Sequence, residues 1–287
     1  MRYVIYEKQG SVATVTMNRP ENLNAFCFFG GDDAAEIWSA FDLAAEDDDV
    51  KVVIWKGVGR AFCVGHDMTR VGFVYGMGTG KAGERRPSQR IRLQIDRRGT
   101  DDSRRLFLHP KLTIAQVHGY CLGGGLWAAL LCDAIVAAED ATLGFPEQRL
   151  GFAGSGAELT HLVLTVGMKR ALDLLLTGRT ITGREAAGMG LVSRAVPAAA
   201  LEEETRKLAA ALTLLPRDGI AIGKATRHLI YDRLGLTGDF TTAYISHTLF
   251  TNVRWEADEY NFFRERRNRG TREALHGRDD RYQGLMQ

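Results

Sequence analysis

The sequence predicts an α/β fold, and three observations carry that prediction. Short apolar runs of strand length recur, each followed by turn residues and then by a helical pattern. Three consecutive glycines, Gly123 to Gly125, stand where one such run gives way to an apolar helical stretch. After Pro197 the strand-length runs largely stop and the pattern turns helical.

In chain order, Val12 to Met17 alternates and reads as a strand after an opening hairpin arm. Asp33 to Glu46 places Ile37, Phe41, Leu43 and Ala44 at helical spacing, and Val52 to Trp55 is a short buried strand. Leu112 to Val117 reads as a buried strand, a helix starts at about Gly124, Ala134 to Ala137 is a further strand, and helices follow Gly154. Leu201 to Leu212, Gly219 to Ile230 and Thr241 to Asn252 read as helices, and no repeat of fixed period is present. Val71 to Asp102 is the least regular part, rich in glycine and then in arginine. Gly76-Met77-Gly78-Thr79-Gly80 lacks the spacing and following helix of a dinucleotide loop. The segment reads either as a surface loop followed by a solvated basic helix face, or as a lid over a pocket whose arginines attract phosphates.

Composition narrows the function classes. The 287 residues suffice for one large domain or two smaller ones, and 45% hydrophobic with 25% charged residues is ordinary for a soluble protein. A net charge of +2 gives no electrostatic case for nucleic acid, and no apolar run approaches the ~18 residues of a membrane span. Met1 to Glu7 lacks a signal-peptide layout, so a cytoplasmic location is expected. Cys27, Cys63, Cys121 and Cys132 show no CxxC spacing and read as buried free thiols, with no metal site expected.

The glycine triplet lies in His118-Gly119-Tyr120-Cys121-Leu122-Gly123-Gly124-Gly125-Leu126-Trp127. Glycine admits close backbone approach, and a helix start offers unpaired N–H groups, so the stretch can hold a negative oxygen. A second segment, Gly59-Arg60-Ala61-Phe62-Cys63-Val64-Gly65-His66-Asp67-Met68, follows another apolar run. With Asn18-Arg19-Pro20-Glu21-Asn22-Leu23-Asn24-Ala25, Cys132-Asp133, Phe145-Pro146-Glu147, Leu176-Thr177-Gly178-Arg179 and Ala186 to Val192, the ordered set resembles the crotonase superfamily, the enoyl-CoA hydratase/isomerase family.

The resemblance implies a crotonase-like ββα superhelical spiral over residues 1–196 and a helical C-terminal region over 197–287 that mediates trimerisation. It implies an acyl-CoA substrate, coenzyme A entering as part of that substrate with no separate cofactor, and a homotrimer or homohexamer. In the family, the backbone N–H between Gly and Asp of the first loop and that of the middle glycine of the second stabilise an enolate; here these belong to His66 and Gly124. The His66 imidazole is then a bystander or a proton carrier. Family hydratases use two glutamates. The second matches Glu147, whereas Trp127 stands at the first, and indole offers only an N–H donor. Trp127 either packs in the core or shapes the acyl pocket.

One glutamate resembles the pattern of double-bond isomerases and of some hydrolases and lyases. Glu147 could otherwise be a helix-start carboxylate or a partner of Arg149. Glu158, three residues before His161, is either a replacement acid or half of a surface pair with that histidine. Glu21, Asn22, Leu23 and Ala25 match where the family grips adenine and pantetheine, and Val64, Asp67, Met68 and Gly123 complete the substrate contacts. Asp67 and Asp133 also read as structural turn and helix-boundary residues. Ala274 to Arg278 and Tyr282 resemble a family tail that often reaches a neighbouring subunit, with Leu275 replacing the usual aromatic. Three alternatives stay open: a hydratase with a rearranged proton donor, a catalytically weak CoA-binding homologue, and a CoA-independent diketone hydrolase.

Overall fold

The computed structural model describes residues 1–27, 31–77, 86–151 and 159–285. β1 (Val4–Gln9) and β2 (Val12–Met17) form the opening antiparallel hairpin, in register from Val4 opposite Met17 to Gln9 opposite Val12. β3 (Val52–Gly57) joins β2 in parallel after α1 (Asp32–Glu46), and the chain crosses to β4 (Ala61–Cys63) and then α2 (Gln89–Phe107). The next pass is β5 (Leu112–Val117), β6 (Tyr120–Leu122) and α3 (Gly124–Leu130); the third is β7 (Ala134–Ala138), β8 (Thr142–Gly144) and, after a 3₁₀ turn at Pro146–Leu150, α4 (Leu159–Val166). α5 (Met168–Thr177), β9 (Thr180–Thr182), α6 (Gly183–Gly188) and β10 (Arg194–Val196) complete the mixed part.

One sheet has the order β1-β2-β3-β5-β7-β10 and the other β4-β6-β8-β9. Each pass therefore adds one strand to the first sheet, one to the second, and then a helix. Repetition of that step builds the expected spiral.

Burial explains the sequence pattern. All six residues of β5 are buried, as parallel strands covered on both faces require. α1 buries Ile37, Trp38, Phe41 and Ala44 along one stripe. Phe41 meets the fully buried Trp55 edge-on at 5.2 Å, and Phe62 meets it from the other side at 5.5 Å. Each such side chain contributes about 1.5–3 kcal/mol on leaving water. Cys63, Cys121 and Cys132 are free and buried, and Cys27 is half-buried.

The remaining helices are α7 (Leu201–Thr213), α8 (Arg217–Arg233), α9 (Leu236–Phe250), α10 (Phe262–Arg269) and α11 (Thr271–Asp280). α7 lies on the first sheet with Leu201, Thr205 and Ala209 turned inward, and α9 lies along α2. Asp133 has the structural role expected of it. It accepts from Thr113 N at 2.8 Å and pairs with the buried Lys224 of α8 at 2.7 Å, tying β5 to the helical region. Among the described residues no helix is long and apolar enough to cross a membrane.

The arginine-rich stretch differs from the solvated helix face of the simpler expectation. Ser88 caps α2, and the helix buries Arg92, Asp96, Gly99, Thr100 and Ser103. Arg92 donates to Pro87 O at 3.1 Å and Thr251 Oγ1 at 3.0 Å, so it fastens the start of α2 to the end of α9. Arg97 and Arg98 are exposed as expected.

Candidate active site

Two strand exits meet at main-chain distance. β4 and β6 run parallel, with Cys63 beside Cys121, so the segments leaving them are neighbours. A Cβ on Gly65 (φ +81°) would lie 2.7 Å from Gly124 N, and one on Gly125 would lie 2.3 Å from Cys63 O. Any side chain at either position would force the segments apart. The loop Val64 to Met68 is thereby held against the start of α3.

The turn after β2 joins them. Leu23 and Asn24 adopt left-handed φ values of 58° and 57°. The Asn24 amide donates to Val58 O at 2.9 Å and Ala61 O at 2.8 Å, which offsets the cost of that conformation and pins the turn to β4. Val64 N donates to Leu23 O, and Phe26 N to Gly65 O. Leu23 thus stands beside Val64, and Phe26 beside Gly65. Asn24, the residue that fixes this turn, is legible in the sequence as an asparagine tolerant of left-handed backbone.

A cavity of about 300 Å³ opens at this junction, and His66, Asp67, Met68, Gly124, Trp127 and Glu147 all line it. Asp67 also accepts from Thr69 N at 3.0 Å, the turn role expected of it. Arg266 of α10 donates to Met68 O at 3.0 Å and Val71 O at 2.7 Å and lies over the Phe73 ring, so the C-terminal helices fix the wall made by residues 68–75. The start of the 71–102 segment thus lines the cavity, and residues 78–85 of it lie outside the described residues.

Glu147 projects from the 3₁₀ turn that Pro146 opens after β8. The residue as a whole is half-buried because it faces the cavity, but its Oε2 is out of water and accepts no hydrogen bond among the described residues. Burial pushes the carboxyl up to about 7, against a partial opposing pull from Arg278 of α11. The expected alternative pairing with Arg149 is absent. Arg149 donates to Thr177 O at 2.9 Å, reaches Asp279 at 3.4 Å and lies over the Tyr282 ring at 4.3 Å.

Trp127 is both core and cavity wall. Its ring meets His161 edge-on at 5.7 Å and lies 6.4 Å from Phe240, and its Nε1 has no hydrogen-bond partner among the described residues. His161 is withdrawn from solvent. It sits between Trp127 and Phe107, where burial pushes it down to about 4. An imidazole between two aromatic rings exchanges hydration for ring contacts and stays neutral. Glu158 lies outside the described residues. The His66 imidazole is pushed down to about 3 by its close surroundings and by His247, so it is neutral at physiological pH.

Tyr75 and His247 on the cavity wall, and Asp96 behind them, carry no recognisable motif. Asp96 alone has a sequence signal: Arg92, Asp96, Gly99 and Ser103 recur every three or four residues and mark the inward stripe of α2.

Comparisons with known proteins bear on the family and the fold. A family model described as enoyl-CoA hydratase/isomerase matches residues 7–233. A Dictyostelium discoideum protein described as "Probable enoyl-CoA hydratase, mitochondrial" is 33% identical over 229 residues, covering 79% of this chain and 75% of that protein. The crystal structure of an enoyl-CoA hydratase from Mycobacterium smegmatis is similar with a TM-score of 0.80 at 30% identity, covering 97% of this chain and 94% of that one. An enoyl-CoA hydratase/isomerase from Xanthobacter autotrophicus Py2 gives the same TM-score at 30% identity, covering 97% and 98%.

Proposed function

Since the chain belongs to the enoyl-CoA hydratase/isomerase family, we propose that it isomerises an unsaturated acyl-CoA through an enolate, with Glu147 as the single carboxylate base. The thioester oxygen would lie between the backbone N–H groups of His66 and Gly124. Gly124 opens α3, so its N–H has no acceptor within the helix. Two preorganised donors there stabilise the charge that develops when the α-proton leaves, each worth roughly 3–4 kcal/mol. Coenzyme A would lie along Glu21 to Ala25 and Val64, with the acyl chain in the cavity.

The observation that carries the reaction type is Trp127. It fills the place of the hydratase's first glutamate with an apolar ring whose one polar atom can only donate. Nothing at that position can accept a hydrogen bond from water or deprotonate it. Glu147 is a base poised near neutral pH, which suits abstraction of an α-proton. The relatives bear hydratase names, and hydration here would need a proton donor from another part of the cavity. Hydrolase and lyase chemistry are the other single-glutamate outcomes.

The test is Glu147→Gln, which keeps shape but removes basicity. Isomerisation of a 3-enoyl-CoA should fall at least about 100-fold while acyl-CoA affinity stays within a few-fold. Near-normal turnover would sink the assignment.

Assembly into a homotrimer or a dimer of trimers belongs to the same proposal. α8 and α9 turn Ile222, Leu229 and Leu249 outward, each more than 60% exposed, which suits a face covered by another copy. A monomer in sedimentation at micromolar concentration would overturn it.

A further inference from the structure

Asp96 is completely buried on the inner side of α2. Its Oδ1 accepts from the Tyr75 hydroxyl and lies 3.2 Å from Nδ1 of His247 on α9, and its Oδ2 accepts from the Thr248 hydroxyl. Among the described residues His247 is its one ion-pair partner within 4 Å. Arg92, one turn earlier on the same helix, is engaged by Pro87, Thr251 and Asn252. A buried carboxylate with no full cation beside it is expensive to keep, and neutral side chains would join the two helices at lower cost. What the carboxylate adds is control of an imidazole.

An ionised carboxylate only accepts. With the ring hydrogen on Nδ1, facing Asp96 at 3.2 Å, Nε2 is the ring atom left to exchange a proton. Both Tyr75 and His247 line the cavity that contains Glu147. Among the described residues, the titratable groups facing His247 include Asp96 from α2, Tyr75 from the 3₁₀ turn Phe73–Tyr75 and His66 from the loop after β4, and Arg92 of α2 acts on Tyr75.

We infer that His247, oriented by Asp96 and Tyr75, is a second acid–base catalytic residue of this site and delivers a proton to the acyl chain at a carbon that Glu147 does not serve. The inference rests on the acyl-CoA enolate reading above. The Glu147 carboxylate takes the α-proton, and the C–H electron pair enters the dienolate. The γ-carbon then takes the proton from Nε2 of the imidazolium, the electrons of the β,γ double bond forming the new C–H bond, and the double bond comes to lie between α and β. Glu147 is left protonated and His247 neutral, and proton exchange with water restores both. Asp96 and Tyr75 are positioning residues.

The origin of the γ-hydrogen tests this without any substitution. A 3-enoyl-CoA deuterated at the α-carbon, converted by the wild-type protein in ordinary water, should give product with solvent hydrogen at γ. Label carried from α to γ means that Glu147 shuttles one proton alone, and overturns the inference. His247→Gln and Asp96→Asn provide the second measurement. Isomerisation should fall at least about 100-fold in each. Exchange of the α-proton of butyryl-CoA with D₂O, which needs only Glu147, should fall less than about tenfold. Equal losses in both readouts, or no loss of isomerisation, would also overturn it. A wild-type protein that exchanges no α-proton would instead contradict the enolate reading itself.

Discussion

A Cβ on Gly123 would lie 2.9 Å from Oε2 of Glu147, so the carboxylate occupies the space that any other residue at position 123 would fill. Gly123 is also left-handed, with φ +52°, immediately before the first turn of α3. The same glycine thus sets the course of the helix that carries Gly124 and admits the base beside it.

Gly123→Ala should consequently combine backbone strain of about 1–3 kcal/mol with displacement of the Glu147 carboxylate. Movement of a reacting group by about 1 Å typically costs on the order of 100-fold in rate. A folded variant with a lower melting temperature, nearly normal acyl-CoA affinity and turnover down by that factor is the expected result. Turnover close to that of the wild type would show that the position of Glu147 is not critical.

Burial of Glu147 has a cost in stability that varies with pH. Its carboxyl is pushed from 4.5 up to about 7 in the folded chain, so the folded state holds a proton that the unfolded state has released between those values. Stability from this group is fully present below about 4.5, falls as pH rises through about 7, and is constant above. Glu147→Gln removes the effect. Relative to the wild type, the variant should gain about 1–3 kcal/mol at pH 8 compared with pH 4 in chemical denaturation. A uniform loss across that range would assign Glu147 a structural role.

The spiral was legible where elements are long or fully buried. β3 and β5 are continuous apolar runs, α1 shows its stripe, and α7 and α8 follow helical periodicity. β4, β6, β8 and β9 have three residues each, too short for a period of two to register. Within the site, Glu147 and Trp127 were legible because they stand in ordered motifs. The Tyr75–Asp96–His247 cluster was not, because its members come from three separate elements and Asp96 is set in a run of arginines. Arg92 misled for a related reason. Thr251, one of its partners, lies 159 residues away in the chain, and no local pattern announces it.

After the hydrogen bond from its own backbone N–H, the field of Arg278 is the second influence that holds the Glu147 carboxyl below where burial alone would place it. Arg278→Gln should raise that value further, moving the acidic limb of the pH–rate profile up by about 0.5–1 pH unit, whereas Arg278→Lys should leave it near its original position. A limb that stays at the same pH in Arg278→Gln would separate it from the ionisation of Glu147.

The most direct test of single-carboxylate chemistry is a comparison of two rates of the wild-type protein under one set of conditions: hydration of crotonyl-CoA and isomerisation of a 3-enoyl-CoA. With Trp127 where a water-holding glutamate would stand, isomerisation should exceed hydration by at least about 100-fold in kcat/KM. Hydration faster than isomerisation, above all with kcat/KM approaching the diffusional ceiling of ~10⁸ M⁻¹s⁻¹, would contradict the account.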